Sequence, residues 1–253
     1  MLKDVLKRKY ISIAIGIAVI AAASVLIVSL FNENNSVAVI SGQRITVDEF
    51  NFFLSSTVEN YEYAANVTDE TRNEYWNSSN VDRKNMAKKQ ALETARDFKL
   101  QLIKAKENNI ALDETDSQKI EEDLRMMTDV AAAAARSNET RDIEDSFVKE
   151  YGVTMDKCRK IYRDYVLASK FAQFEQGKIY PTDEEIDKHY EEEYVNYEEM
   201  LLTEGFTFEE IWEEARMNLI QEQYRERLSE WAGESKYALI INYEVYDSIE
   251  VLR

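Results

Sequence analysis

A helix-starting motif recurs in this sequence and constrains its fold more than any other feature. Thr46-x-x-Glu49, Thr182-x-x-Glu185 and Thr207-x-x-Glu210 each place a threonine three residues before a glutamate. This pattern is a capping box, in which the two side chains bind backbone N–H groups at the start of a helix. The repetition predicts a mainly helical fold that is built from separately capped helices.

Apolar residues recur at helical spacing between these caps. The strongest pattern predicts a helix from about Val81 to Asn108, where alanine and larger apolar side chains form one stripe. Thr115 and Gln118 are predicted to cap the next helix, and Gly152 is predicted to end a shorter one. Further helices are predicted around residues 155–176, 182–194 and 207–231. The stretch from about Tyr61 to Asn80 has no clean period and is predicted to be irregular.

Two short apolar stretches are typical of strands. "SVAVISGQRI" predicts a strand followed by a tight turn at Ser41-Gly42. Near the other end, "ALIINYEVY" alternates, which places Leu239, Ile241, Tyr243 and Val245 on one face of a strand. Because an isolated strand leaves its backbone groups unsatisfied, we expect a small β pairing of the N- and C-terminal strands.

The uncharged stretch Ile11–Phe31 precedes all of these elements. At about 1.5 Å per residue it is long enough to cross a bilayer core of about 30 Å. Its positive flank predicts a cytoplasmic tail at residues 1–10, a single-pass transmembrane anchor at 11–31 and an extracytoplasmic C-terminal domain. A cleaved signal peptide is the alternative, since Ala21–Ser24 offers small residues for a peptidase. Apolar residues continue to Phe31, which favours the anchor.

The rest of the chain is strongly acidic. The whole chain has a net charge of −18, and the first 31 residues carry four positive and one negative side chain, which leaves −21 for residues 32–253. A surface of this charge repels nucleic acid and anionic lipid, so neither is an expected partner. Cys158 is the only cysteine, which excludes an intramolecular disulfide and predicts a buried, small apolar side chain.

The order of these segments resembles the SurA-type and PrsA-type extracytoplasmic chaperones of bacteria. "VAVISGQRITVDEF" is similar to the opening strand, turn and capped helix of their mature chains. "ALETARDFKLQLIKAKENNIALDETDSQKIEEDL", "FVKEYGVTMDKCRKIYRDYVLASKFAQF", "IYPTDEEIDKHYEEEY" and "FTFEEIWEEARMNLIQEQYRERLSEWAGESKYALIINYE" resemble the following segments in the same order. The resemblance implies a SurA/PrsA-like helical chaperone domain at residues 37–253, behind the membrane segment.

The same resemblance indicates a missing domain. In this family a parvulin-type prolyl isomerase domain usually follows the phrase that "EEIDKHYEEEY" matches. Here only a short stretch separates Tyr194 from Phe206, and no His-Ile-Leu phrase occurs. We therefore expect a protein that is not an enzyme. A prolyl isomerase with an unrecognised site remains a third hypothesis.

Few side chains in the sequence suggest catalysis or metal binding. His189, with Glu185, Glu192 and Glu193 at helical spacing, is a weak zinc or manganese candidate, and an ion-paired surface histidine is the favoured interpretation. We find no phosphate-binding loop and no nucleophile motif in the sequence. The sequence therefore predicts no catalytic residue, no metal and no cofactor.

The expected function is that of an ATP-independent chaperone which binds unfolded or nascent secreted polypeptides. Flexible or aromatic side chains suit such binding, although each of them is individually more typical of a core. The candidate client-binding residues are Tyr61, Tyr63, Tyr75, Trp76, Met126 and Met127. A dedicated structural or assembly partner of an envelope complex is the alternative function. A second copy of the chain, in a homodimer, is a further candidate partner.

Overall fold

A computed structural model of the chain describes residues 35–78, 82–137, 142–195, 201, 203 and 205–251. Its helices are α1 (Val47–Ala64), α2 (Asp69–Asn77), α3 (Arg83–Glu107), α4 (Glu114–Ser137), α5 (Ile143–Tyr151), α6 (Met155–Gln176), α7 (Asp183–Glu193), α8 (Phe208–Gly233) and α9 (Tyr243–Ser248). Its strands are β1 (Ser36–Ile40), β2 (Gln43–Thr46) and β3 (Leu239–Ile241), and a short 3₁₀ turn spans Ser235–Tyr237. The mainly helical character that the caps predicted is present.

The strands form an antiparallel sheet in the order β2-β1-β3. Strand β1 pairs with β3, with Ala38 opposite Ile241 and Ile40 opposite Leu239, so the first strand of the domain does pair with the last. The predicted fold class lacked β2, which follows a turn at Ser41 and Gly42 and pairs with β1 on its other side. Strand β1 is fully buried, because it has a neighbour on each edge and helices over it.

The C-terminal strand is shorter than its alternation predicted. Strand β3 ends at Ile241, and the chain continues as helix α9. The Asn242 side chain accepts a hydrogen bond from the Val245 N–H at 3.4 Å, which is the N-cap arrangement that starts a helix. Tyr243 is therefore exposed, whereas Val245 packs against the main core. The prediction of a strand through Val245 was wrong because it gave no weight to Asn242 as a cap.

All three predicted capping boxes are confirmed. The Thr46, Thr182 and Thr207 hydroxyls accept from the backbone N–H of Glu49, Glu185 and Glu210 at 3.2–3.3 Å. Each glutamate in turn accepts from the threonine backbone N–H at 2.7–2.9 Å. These caps fix the starts of α1, α7 and α8.

Two local predictions were wrong. Helix α4 begins at Glu114 and is capped by Asp113 and Asp116, each of which accepts from the other's N–H, so Thr115 and Gln118 are not its cap. The stretch after Tyr61 is largely helical, since α1 continues to Ala64 and α2 follows. Thr68 precedes α2, and its backbone N–H donates to the Thr71 hydroxyl at 3.0 Å.

Helices α1 and α3 pack together over the sheet and form the main core around Phe50, Phe53 and Phe98. Helix α6 packs on the other side of α3, and α4 and α5 enclose a second cluster with it. Cys158 is fully buried in that second cluster, as predicted, and burial raises the pKa of its thiol to about 11. Helix α7 packs mainly on α8, around Tyr190, Ile211 and Ala215.

The predicted fold class also included an N-terminal transmembrane helix, and here it is corrected. Among the residues that the structure describes, no helix is both long enough and apolar enough to cross a membrane. The observed class is a mainly helical fold with a small three-stranded antiparallel sheet. The predicted cytoplasmic tail at residues 1–10 and the predicted anchor at 11–31 lie outside the described residues.

Candidate polypeptide-binding groove

An open groove of about 570 Å³ lies between α1, the end of α5 and Ile249 and Glu250 of the C-terminal segment, which is residues 249–251. Its floor is one face of α1, made by Asn51, Leu54, Ser55 and Val58. These residues follow the i, i+3, i+4, i+7 spacing that places side chains on one side of a helix. Leu54 and Val58 are also members of the main core, so the core fixes the floor of the groove.

The second wall of the groove is the end of α5, and Gly152 determines how closely it approaches α1. Gly152 adopts a left-handed conformation with φ of 73°, and its N–H donates to the Val148 carbonyl at 2.8 Å. A Cβ atom at this position would lie 2.6 Å from the Asn51 carbonyl oxygen. The Ser55 hydroxyl adds a hydrogen bond to the Glu150 carbonyl at 2.8 Å. These contacts hold the two helices in a fixed relation.

The third wall is formed by Ile249 and Glu250, which follow α9. The chain before α9 is attached to the sheet, because the Asn242 N–H donates to the Val37 carbonyl at 2.9 Å. Within α9, the Tyr246 ring meets Phe50 edge-on at 5.6 Å between centroids, and the Lys88 ammonium lies 4.6 Å from the Tyr246 ring centre. The C-terminal wall therefore rests on the same core as the floor.

The groove has a mainly apolar lining that includes two charged residues of opposite sign. Leu54, Val58, Val148 and Ile249 give it an apolar lining, and its volume lies in the range of about 300–1,000 Å³ that is usual for ligand pockets. Burial raises the pKa of nearby Tyr151 to about 12, and the carboxylates of Glu150 and Glu59 add to this shift. Such a groove can accept apolar side chains from a ligand, and its charged lining residues are Lys149 and Glu250.

A smaller, polar cavity of about 300 Å³ lies on the other side of the C-terminal segment, beside α2 and Val251. Its main polar groups already bind one another. The Arg72 guanidinium pairs with Glu62 at 3.1 Å and with Asp69, and the Trp76 indole N–H donates to Glu62 at 2.8 Å. This internal pairing makes the cavity a weaker candidate for ligand binding than the groove.

The six predicted client-binding residues lie outside the lining of the groove. The structure brings three of them together: the Tyr61 ring stacks on Trp76 at 6.2 Å, and Tyr75 meets Trp76 edge-on at 5.1 Å. All three pack against the main core, and Met127 packs against the second cluster. Tyr63 is 86% exposed and Met126 is 50% exposed. Client binding at these six residues stays a prediction.

The environment of His189 differs from the prediction of a surface histidine. Its side chain is buried against α8, and its Nδ1 atom lies 3.7 Å from Glu222, a residue that the sequence did not associate with it. Glu185 caps α7 through Thr182, and Glu192 pairs with Lys188 at 3.7 Å. Within the described ranges, no group of three or more His, Cys, Asp or Glu side chains is placed to hold a metal ion.

Comparison with known proteins finds no matching family model, no matching curated protein and no matching solved structure. The family resemblance of the sequence therefore stays a prediction. The apolar groove is the feature of this structure that most directly suggests a function.

Proposed function

We propose that this protein is an ATP-independent chaperone that binds apolar segments of unfolded polypeptides in the groove between α1, α5 and the C-terminal segment. The observation that carries the proposal is an apolar groove of about 570 Å³ whose floor and C-terminal wall rest on the main core. A preformed groove of this kind binds without first ordering its own walls, which lowers the entropic cost of association.

The preferred clients are polypeptides in which Lys or Arg flanks apolar residues. Residues 32–253 carry a net charge of −21 when the first 31 residues are subtracted from the whole chain. The lining of the groove itself carries one acidic residue, Glu250, and one basic residue, Lys149, so the preference for cationic clients rests on the net charge of the domain. Complementary charge speeds the encounter between partners and selects among them, while apolar contact in the groove supplies most of the affinity.

The order of segments in the sequence supports the same proposal, since it resembles the SurA-type and PrsA-type chaperones. In that setting the clients are secreted polypeptides and the protein acts outside the cytoplasm.

The proposal is tested by the suppression of aggregation. A reduced, unfolded test protein is diluted into buffer with the full-length chain in a fixed, low concentration of mild detergent, and light scattering is recorded. We expect suppression that saturates near stoichiometric amounts and continues without ATP. Detergent alone is the first control, and scattering that equals this control at a stoichiometric excess of the protein would refute the proposed function.

Matched variants locate the activity in the groove. Val148→Asp places a charge on the α5 wall, where Val148 is 38% exposed, whereas Ile143→Asp places it on the same helix outside the groove, at a residue that is 41% exposed. Loss of a half-buried apolar contact costs about 1 kcal/mol, so Val148→Asp should weaken client binding about fivefold. Ile143→Asp should leave it unchanged. Equal effects of the two substitutions would place client binding elsewhere.

A further inference from the structure

A second apolar surface lies where α7 ends and α8 begins, on different helices from the groove. We define it as the junction patch: Tyr190, Tyr194, Val195, Leu201, Phe206 and Phe208. The Tyr190 ring stacks on Tyr194 at 6.1 Å and meets Phe208 edge-on at 5.5 Å. The Phe206 N–H donates to the Leu201 carbonyl at 3.1 Å, which brings Phe206 beside this group. Tyr190, Tyr194 and Phe208 therefore form one aromatic group, with Val195 and Phe206 next to it along the chain.

Large apolar side chains of the junction patch remain exposed. Phe208 is 50% exposed, and Val195 and Phe206 are exposed to a similar extent. In the described part of these helices, the buried cluster next to them is small and consists of Tyr190, Ile211 and Ala215. Exposed aromatic groups of this kind are typical of interaction surfaces.

Carboxylates surround the junction patch densely. Seven residues of α7 are Asp or Glu against one Lys, and the first seven residues of α8 include four Glu and no positive residue. The pKa of the Tyr194 hydroxyl is raised, first by burial and also by the carboxylates of Glu214, Glu193 and Glu222. Several negative side chains thus act on a single aromatic group of the patch.

The negative charge around the junction patch disfavours several of the ligands that an apolar surface could bind. A second copy of the chain would bring an identical set of carboxylates against the first, and anionic lipid or nucleic acid would be repelled in the same way. We propose that the junction patch docks a cationic amphipathic polypeptide segment. Its apolar side chains pack on Phe206 and Phe208, and its Lys or Arg side chains pair with the surrounding glutamates. This proposal stands independently of the groove.

The probe is a fluorescent synthetic peptide made of Leu and Lys in amphipathic helical order. Its binding to the full-length protein in mild detergent is followed by fluorescence anisotropy. Phe206→Ser combined with Phe208→Ser should weaken binding about tenfold, which corresponds to about 1.4 kcal/mol. Phe174→Ser combined with Val130→Ser is the matched control, because Phe174 and Phe206 are each 44% exposed and Val130 and Phe208 are each 50% exposed. The control should bind as the wild type does.

A charge variant tests the proposal without removing the apolar surface. Glu191→Gln, Glu193→Gln and Glu214→Gln together leave the α7 and α8 capping boxes intact. This variant should bind the peptide several-fold more weakly and should respond less to added salt, because salt screens the charges that it lacks. A peptide with Glu in place of Lys should not bind the wild type.

Three results would overturn the proposal. The first is equal binding of the Lys and Glu peptides. The second is unchanged affinity in both the Phe206/Phe208 variant and the charge variant. The third is a loss of peptide binding in Val148→Asp as large as that in the Phe206/Phe208 variant, which would place the cationic segment in the groove and leave the proposed chaperone function standing.

Discussion

The sheet region and the α7–α8 pair differ in how their apolar side chains are used. In the sheet region, β1 is fully buried, and α1 and α3 enclose Phe50, Phe53 and Phe98 in one large cluster. In the α7–α8 pair, Tyr190, Ile211 and Ala215 form a small cluster, and large apolar groups such as Phe208 remain exposed. In the sheet region the large apolar side chains are buried in the core, whereas in the α7–α8 pair several of them are exposed.

The two proposed binding surfaces should therefore differ in rigidity. The groove rests on the large core, so its shape is largely set before a ligand arrives. The junction patch rests on few buried contacts, and regions of this kind open at lower free energy than the core does. Substitutions in each region should therefore differ in how far their effects spread through the molecule.

The largest effect is expected for the buried ion pair of the sheet region. Lys99 of α3 lies 2.5 Å from Glu49 of α1, and both side chains are buried. Lys99→Met leaves the Glu49 carboxylate buried without its partner, which should lower the free energy of unfolding by about 3–5 kcal/mol. Urea unfolding measures the change.

The double variant Lys99→Met with Glu49→Gln is the matched control for this prediction. Gln at position 49 can still accept from the Thr46 N–H in the capping box, and it carries no charge. The double variant should therefore recover most of the lost stability. A double variant as unstable as Lys99→Met would show that the ion pair itself, and not the unpaired charge, is what stabilises the sheet region.

The second effect separates the two regions directly. Ile211 is almost fully buried in the α7–α8 cluster, so Ile211→Ala should cost about 2–4 kcal/mol. Because few other contacts support this pair, hydrogen exchange should accelerate in α7 and α8 while α1 and α3 stay protected. Phe50→Ala, in the large core, should instead accelerate exchange in both regions. Uniform acceleration by Ile211→Ala would contradict the contrast.

The third effect concerns the close approach of α5 to α1 at the groove. Gly152 and Gly42 have similar φ angles of 73° and 76°, but only Gly152 faces a neighbouring backbone atom, since no atom of the described part lies within 4 Å of a Cβ at Gly42. Gly42→Ala should cost about 1 kcal/mol from backbone conformation alone. Gly152→Ala should cost about 2–3 kcal/mol, because strain at α1 is added. Equal losses in thermal or urea unfolding would show that the approach is not tight.

The smallest effect is expected for Asp97 of α3, whose charge acts on Tyr224 of α8. Burial raises the pKa of Asp97 above its ordinary value of 3.8, and the neighbouring Arg96 opposes the shift. Since folding favours the protonated carboxyl, its contribution to stability is present below pH 3.8 and is lost as the pH rises through the raised pKa. Asp97→Asn should therefore become progressively more stable than the wild type from mildly acidic to neutral pH.

This pH dependence is checked by urea unfolding of both proteins across that range. The expected gain is a fraction of a kcal/mol, because the side chain is partly exposed and solvent screens its charge. A gain that is larger at acidic than at neutral pH would have the wrong sign and would contradict the assigned cause.

Most of the helical frame could be predicted from the sequence, because its signals are local. Each capping box, at Thr46, Thr182 and Thr207, involves side chains and backbone within a few residues. The helix end at Gly152 is equally local. Pairing of β1 with β3 could also be predicted, because each strand needed a partner. Helix α9 was missed because the alternation at residues 239–245 obscured the Asn242 cap, and β2 was missed because it is only four residues long.

The groove could not be predicted in the same way. Its walls come from α1, α5 and Ile249–Glu250, which lie far apart in the sequence. The capping box at Thr46 indicated the helix that forms the floor, but no local pattern showed which elements would border it. Burial of His189 against α8 was missed for the same reason, because Glu222 lies on another helix.

Site-specific cross-linking tests directly whether unfolded polypeptide binds in the groove. A photoreactive amino acid replaces Val148 in the groove or, as the matched control, Ile143 on the same helix, and the full-length protein is irradiated with an unfolded, Lys-containing client. We expect position 148 to form cross-links to apolar segments of the client and position 143 to form none. Cross-links of equal yield at both positions, or none at position 148, would contradict the proposal that unfolded polypeptide binds in this groove.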